Sequence, residues 1–345
     1  MSFLYAAPEG APQSGLVAQA IDYLRQRKDR DPPFMLYLPW GLPHCPYKVP
    51  EPWHSMYAPD DLPPLRPKEL QDKPSFHEAI RRYRRLDECD DQLLRQIMAV
   101  YLGMISYVDH LFGQILDALE ETGLDQSTTV FMFSDHGDWA GDYGLVEKWP
   151  SGLDDCLTRV PMIVRTPGGA EGHVVHEPVE CFDIMPTTLE LAGVEPAHTH
   201  HARSMVAQLH GADGDAERAV FAEGGYDPHE PHCFEGKQGV NGDIGNNPTG
   251  IYYPKGRQQQ DEPGTVCRSA MIRTATHKLI RRTNGEHELY DLNDDPEELH
   301  NRYADDALAD VRRQLLERLL DWYIHTADSV PVDADPRGFA EGIQT

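Results

Sequence analysis

The chain has 345 residues, enough for one large domain or a domain with a smaller companion, so a core can be buried without disulfide or metal staples. Against 31 Lys and Arg stand 57 Asp and Glu, a formal net charge of -26 spread along the sequence, which argues against nucleic acid and anionic membranes as partners. An anionic substrate would therefore need positive charge gathered locally, from a few basic side chains or a metal.

In chain order, Met1 to Gly15 is rich in Pro, Gly and Ala and reads as a tail. Leu16, Val17, Ala20, Ile21 and Leu24 then recur at helical spacing up to Arg27, and Pro32-Pro33 ends the segment. The short apolar run Phe34 to Leu38, bounded by prolines, reads as a strand buried on both faces. Leu42 to Lys73 carries too many prolines for regular structure and reads as a long functional loop. The basic run Arg81, Arg82, Arg84 and Arg85 reads as a solvated helical face. From Gln96 to Glu121 an apolar stripe predicts the longest helix, closed by Gly123.

Strands are expected at Thr129 to Phe133 and Pro161 to Arg165, so strands alternate with helices as in an α/β sheet whose sites form at the strand ends. Beyond Gly193, Ala219 to Ala222, Ser269 to Arg273 and Lys278 to Arg281 are short strands suited to an antiparallel sheet. Leu308 to Ile324 is an amphipathic terminal helix. Asp227 to Gly264 is polar and rich in Gly and Pro, a long insertion loop placed like a lid. This change of texture divides the chain into 1–205, an α/β domain, and 206–345, an α+β subdomain carrying the insertion.

The six cysteines show no short metal-type spacing, and most of them read as reduced. No apolar run approaches the roughly 20 residues of a membrane span, and the N-terminus has no basic stretch followed by an apolar one. As written, the chain reads as soluble and cytoplasmic; a signal preceding Met1 would make it exported.

At the end of the 129–133 strand, Ser134-Asp135-His136-Gly137-Asp138 puts a carboxylate beside an imidazole, two donors able to converge on one cation. Oxygen donors suit calcium or magnesium and an imidazole shifts preference toward manganese or zinc, so the ion stays open; Asp135 as a turn cap and His136 on a backbone carbonyl is the purely structural alternative. Lys148 follows at a distance one loop can span and could hold oxygens of a sulfate or phosphate; His44, in a proline-stiffened loop, could protonate a leaving alkoxide.

Several motifs in order resemble the sulfatase family of the alkaline phosphatase superfamily. Tyr37-Leu38-Pro39-Trp40-Gly41-Leu42-Pro43-His44-Cys45-Pro46-Tyr47 is similar to its strand leading to Pro-His-x-Pro-Tyr. Tyr101 to Asp109 and then Ser134 to Asp138, Gly141-Asp142-Tyr143-Gly144-Leu145 and Lys148 resemble its central signature. Arg159 to Arg165, Asp183 to Thr187, and Glu288 to Leu292 with Asp295-Pro296-Glu297-Glu298 come in the family's order. The resemblance implies an alkaline-phosphatase-like fold: a mixed, mostly parallel central sheet flanked by helices, its N-terminal strands missing, with a smaller C-terminal antiparallel sheet and terminal helix. It implies a sulfuric ester hydrolase with a small sulfated substrate, Asp135 and His136 as ligands of a divalent metal, calcium by family, Lys148 as a sulfate contact, and His44 as a substrate-contacting histidine or proton donor. Asn241 and His232, in the insertion, are further substrate-contact candidates.

The family's nucleophile, a formylglycine made from Cys or Ser in a C-x-P-S-R type motif, has no counterpart in this sequence, and no aspartate pair ends an apolar strand. The expectation is a truncated sulfatase whose chain alone is inactive and binds metal weakly, completed by a complementing N-terminal chain or associating as a homo-oligomer. Two alternatives are a non-catalytic sulfatase-like binding protein and a related metal-dependent phosphodiesterase or phosphonate hydrolase.

Overall fold

A computed structural model describes residues 12–27, 32–235 and 245–332. The helices are α1 (Pro12–Gln26), α2 (Ser75–Arg84), α3 (Asp91–Thr122), α4 (Asp155–Thr158), α5 (Ile184–Ala192), α6 (Val206–Leu209), α7 (Tyr253–Asp261) and α8 (Ala309–Thr326). The strands are β1 (Val130–Phe133), β2 (Met162–Arg165), β3 (Val220–Gly224), β4 (Ser269–Arg273), β5 (His277–Arg282) and β6 (Glu288–Asp291). These elements form two compact units interleaved along the sequence: 1–129, 136–160 and 224–268 in the first, 130–135, 161–223 and 269–345 in the second.

In the first unit α3 is the spine. Asp90 caps it by accepting from the Leu93 amide at 2.8 Å, and Gly123, at φ 70°, stops it in the left-handed conformation a glycine adopts freely. Its buried face, Leu94, Ile97, Val100, Met104, Leu111 and Ile115, is the expected stripe, although Ile105 faces solvent. The 42–73 segment has almost no regular structure, as its prolines dictate, yet it is anchored by the fully buried Tyr47 and Val49.

Three expectations in this unit fail. Phe34 to Leu38 is not a strand, and Met35 and Tyr37 are 85% and 70% exposed. An apolar run becomes a buried strand only where a neighbour pairs with it, and no described residue does so. The arginines of α2 are not one solvated face either. Arg84 is buried and ion-paired, while Arg82 and Arg85 remain in solvent, because adjacent helical positions point about 100° apart. The 227–264 insertion also contains more structure than a loop, since α7 buries Lys255, Gly256, Gln258 and Gln259. The opening residues 1–11, Asn241 and the 236–244 stretch lie outside the described residues.

In the second unit β1 and β2 pair antiparallel, Val130 opposite Arg165 and Phe133 opposite Met162. They form a two-stranded sheet. A second sheet runs β3-β4-β5-β6, with β4–β5 and β5–β6 antiparallel. Its apolar face, Ala270, Ile272, Leu279 and Leu289, packs against Leu315 and Leu319 of α8, and Phe221 stacks on Trp322 with ring centroids 4.7 Å apart. All six cysteines are free. No helix among the described residues is long and apolar enough to cross a membrane.

Candidate active site

The loop after His136 is shaped by close backbone packing. A Cβ on Gly137 would lie 2.0 Å from the Cys156 carbonyl oxygen, and the Gly137 amide donates to the Leu157 carbonyl oxygen at 2.8 Å, so only glycine fits after the histidine. Asp138 then organises the rest of the loop: its Oδ1 accepts from the Tyr47 hydroxyl at 2.7 Å, the Ala140 amide at 2.8 Å and the Glu147 amide at 3.0 Å. Burial pushes the Asp138 carboxyl up, against the bonds from Tyr47 and the amides. This network draws the 42–47 and 138–148 segments together.

It brings two expected site residues into contact. Lys148 Nζ is hydrogen-bonded to His44 Nε2, and His44 Nδ1 lies 2.6 Å from the Cys45 carbonyl oxygen. A carbonyl can only accept, so Nδ1 carries the hydrogen, and Nε2 presents its lone pair to the lysine ammonium. In this arrangement His44 is a base at Nε2 and Lys148 holds the proton. Burial lowers the Lys148 pKa, only partly offset by Glu147, which suits an ammonium that releases a proton.

Around Lys148 lies a buried ionic cluster that the sequence did not disclose. Glu147 Oε2 is 2.6 Å from Arg84 Nη2, and Oε1 is 3.3 Å from Lys255 Nζ and 4.0 Å from Lys148 Nζ. Burial works against the Glu147 charge, but Arg84, Lys255 and Lys148 outweigh it and hold the carboxyl at about 2. Tyr252, just before α7, donates to the Cys45 carbonyl oxygen at 3.3 Å, and its ring centre lies 6.4 Å from that of His44.

Asp135 and His136, the expected metal ligands, follow one another in the chain. His136 has its ring centre 6.4 Å from that of His44 and its Nδ1 2.9 Å from the Gly137 carbonyl oxygen. By the same reasoning its lone pair is on Nε2, the tautomer of a metal-ligating histidine whose other nitrogen donates to a carbonyl. Asp135 is exposed and falls in the other unit, the boundary lying between the two residues. His232, the remaining substrate-contact candidate, is exposed.

His44, Cys45 and Glu147 offer donor atoms within 4.8 Å of one another, but they do not suit a divalent cation. Burial, reinforced by Glu147, pushes the Cys45 thiol up to about 12, Glu147 is already held by two cations, and His44 Nε2 faces an ammonium. A further positive charge would be repelled there.

Comparison with known proteins gives the family and the fold. The sulfatase family model matches residues 7–194, more than half of the chain. The chain belongs to the sulfatase family. A second model, the C-terminal region of N-sulphoglucosamine sulphohydrolase, matches residues 251–324, which include α7 and the β4–β6 sheet. Among curated relatives, a multifunctional alkaline phosphatase superfamily protein of Trinickia caryophylli is 26% identical over 90% of this chain and 59% of its own length. An arylsulfatase of Clostridium perfringens is 34% identical over 53% of this chain and 38% of its own. The fold matches a phosphonate monoester hydrolase of Silicibacter pomeroyi with a TM-score of 0.74 and 25% identity, covering 93% of this chain and 61% of that one. This alkaline-phosphatase-like fold is the one expected, with the small antiparallel sheet and terminal helix in place. The chain thus spans less than two thirds of each of these relatives.

Proposed function

We propose that this chain supplies the anion-binding and proton-transfer side of a hydrolase centre for sulfate esters, acting on a small sulfated compound. The observation that carries this reading is the Lys148–His44 hydrogen bond, which sets a proton holder against a base in an otherwise acidic protein. Lys148 would bind a sulfate oxygen and neutralise charge that develops on it. His44, once the lysine turns to the anion, would take or deliver the proton of the leaving oxygen at Nε2.

Asp135 and His136 are the residues that would hold a divalent cation; calcium is the family expectation, and manganese, magnesium and zinc are compatible with a carboxylate and an imidazole. Such an ion polarises the ester oxygens. Two donors are fewer than the six or more oxygens calcium takes, so binding by this chain alone is expected to be weak. No Cys or Ser in the sequence has the C-x-P-S-R context of a formylglycine precursor. The nucleophile is therefore proposed to come from residues outside this sequence, on a longer polypeptide or a complementing chain.

A second reading has specific support. The phosphonate monoester hydrolases of Silicibacter pomeroyi and Agrobacterium radiobacter match with TM-scores of 0.74 and 0.73, which favours a phosphoryl substrate for the same residues. Side-by-side turnover of an aryl sulfate and an aryl phosphonate monoester, with the nucleophile-bearing segment present, separates the two: faster phosphonate cleavage demotes the sulfate reading. Binding of sulfate without turnover is the result expected of a non-catalytic binding protein. Lys148→Ala should abolish sulfate binding by the chain, and undiminished binding would sink the assignment of Lys148.

A further inference from the structure

Lys148 sits next in sequence to a carboxylate that should capture it. Glu147 is 3% exposed, adopts the left-handed conformation at φ 67°, and lies 4.0 Å from the Lys148 ammonium. A lysine and a carboxylate this close in a buried setting ordinarily close to a direct ion pair. Here the pair stands at the outer limit of an ion pair, and each carboxylate oxygen lies closer to another cation than to Lys148. Arg84, from α2, lies on Oε2 and also donates to the Val146 carbonyl oxygen at 3.1 Å. Lys255, from α7, lies on Oε1 and is steadied by Glu235 at 3.5 Å. Arg84 and Lys255 are both buried, whereas the Lys148 side chain is 26% exposed and turned to His44.

We infer that Arg84 and Lys255 are positioning residues for Lys148: by occupying both oxygens of Glu147 they prevent that carboxylate from capturing the ammonium and keep it directed at His44 and an incoming anion. The inference rests on the reading of Lys148 as the anion contact. It gives the insertion a role, since α7 reaches the site through Lys255. Glu147 in turn cancels charge that Arg84 and Lys255 would otherwise add beside Lys148. The groups facing Lys148 are Glu147, Lys255, His44, Cys45 and Asp138. Among them Lys255 disfavours its charge and Glu147 favours it, so losing Lys255 should make Lys148 harder to deprotonate.

The test uses the full chain and inorganic sulfate as probe. Affinity is read by isothermal titration, the protonation of Lys148 by the pH dependence of its acetylation, followed by mass spectrometry, and folding by circular dichroism. In Lys255→Met sulfate affinity should fall about tenfold or more, the scale of one charge-assisted hydrogen bond, and the acetylation profile of Lys148 should move to higher pH. Lys255→Arg should restore both. Adding Glu147→Gln to Lys255→Met should also restore affinity, because no carboxylate remains to trap the lysine.

A folded Lys255→Met with unchanged affinity and an unchanged Lys148 profile overturns the inference. Should Lys255→Met fail to fold, Glu147→Gln alone decides: a folded Gln variant that loses sulfate refutes the trapping role, and one that keeps sulfate while Lys148 becomes more acidic supports it. The acetylation profile does not depend on sulfate. If Lys148→Ala binds as well as wild type while the profile shifts as expected, the anion-contact reading fails and the positioning survives.

Discussion

Glu147 is the residue on which the local electrostatics turn. Its carboxyl is held at about 2 by Arg84 and Lys255 despite burial, below its value of about 4.3 in an unfolded chain. A depressed carboxylate stabilises the fold above the unfolded pKa, and that contribution is lost as pH falls through the folded pKa. The window is therefore about pH 5 to about pH 2, and the gross contribution is on the order of 3 kcal/mol. Urea unfolding of wild type and Glu147→Gln should differ most near neutral pH and converge toward pH 2; a gap that stays constant with pH would refute the assignment. Removing the other partner is harsher. Arg84→Met leaves a buried carboxylate with one of its two close cations gone and should cost about 3–5 kcal/mol at neutral pH, measured by the same unfolding. The sequence displayed His44 and Lys148 because each lies in a motif, but it could not display Glu147 or Arg84. Nothing in a run of four arginines marks the one that turns inward, and nothing in Glu147 announces a positive φ.

At the scale of elements, legibility tracked apolar periodicity. The α3 stripe, the β4 and β5 strands and the terminal helix were readable because their apolar residues recur at the spacing of the face they bury. Helix α7 was not, since Tyr-Pro-Lys-Gly-Arg-Gln-Gln-Gln-Asp has no apolar stripe and buries glutamines instead. Gln259 is satisfied by Glu235, which takes its amide hydrogen at 3.2 Å and donates its own amide to Gln259 Oε1 at 2.8 Å. The 34–38 run failed in the opposite sense: its composition is that of a strand, but pairing is not local information. The C-terminal sheet offers a clean test of element packing. Leu279→Ala, at a fully buried position facing α8, should destabilise by about 2–5 kcal/mol through lost burial and a cavity. Leu320→Ser, on the same helix but 60% exposed, should stay within about 0.5 kcal/mol. Comparable losses at both positions would mean that the outward face of α8 is also packed in solution.

At the scale of the whole molecule two properties oppose each other. Met35, Tyr37, Ile163 and Phe182 are between 61% and 85% exposed, large apolar side chains of the kind that drive association. The net charge of -26 works against it, because like-charged copies repel. Repulsion acts over the screening length, about 30 Å at 0.01 M salt and about 3 Å at 1 M, whereas apolar contact is not weakened by salt. The balance should therefore tip toward association as salt rises. Sedimentation velocity at fixed protein concentration should show a mean sedimentation coefficient that increases between these salt limits. Met35→Ser combined with Tyr37→Ser should suppress the increase while leaving the melting temperature nearly unchanged, because neither side chain is buried in the monomer. Association that salt dissolves instead would point to ionic contacts between copies, and association indifferent to these substitutions would place the contact elsewhere on the surface.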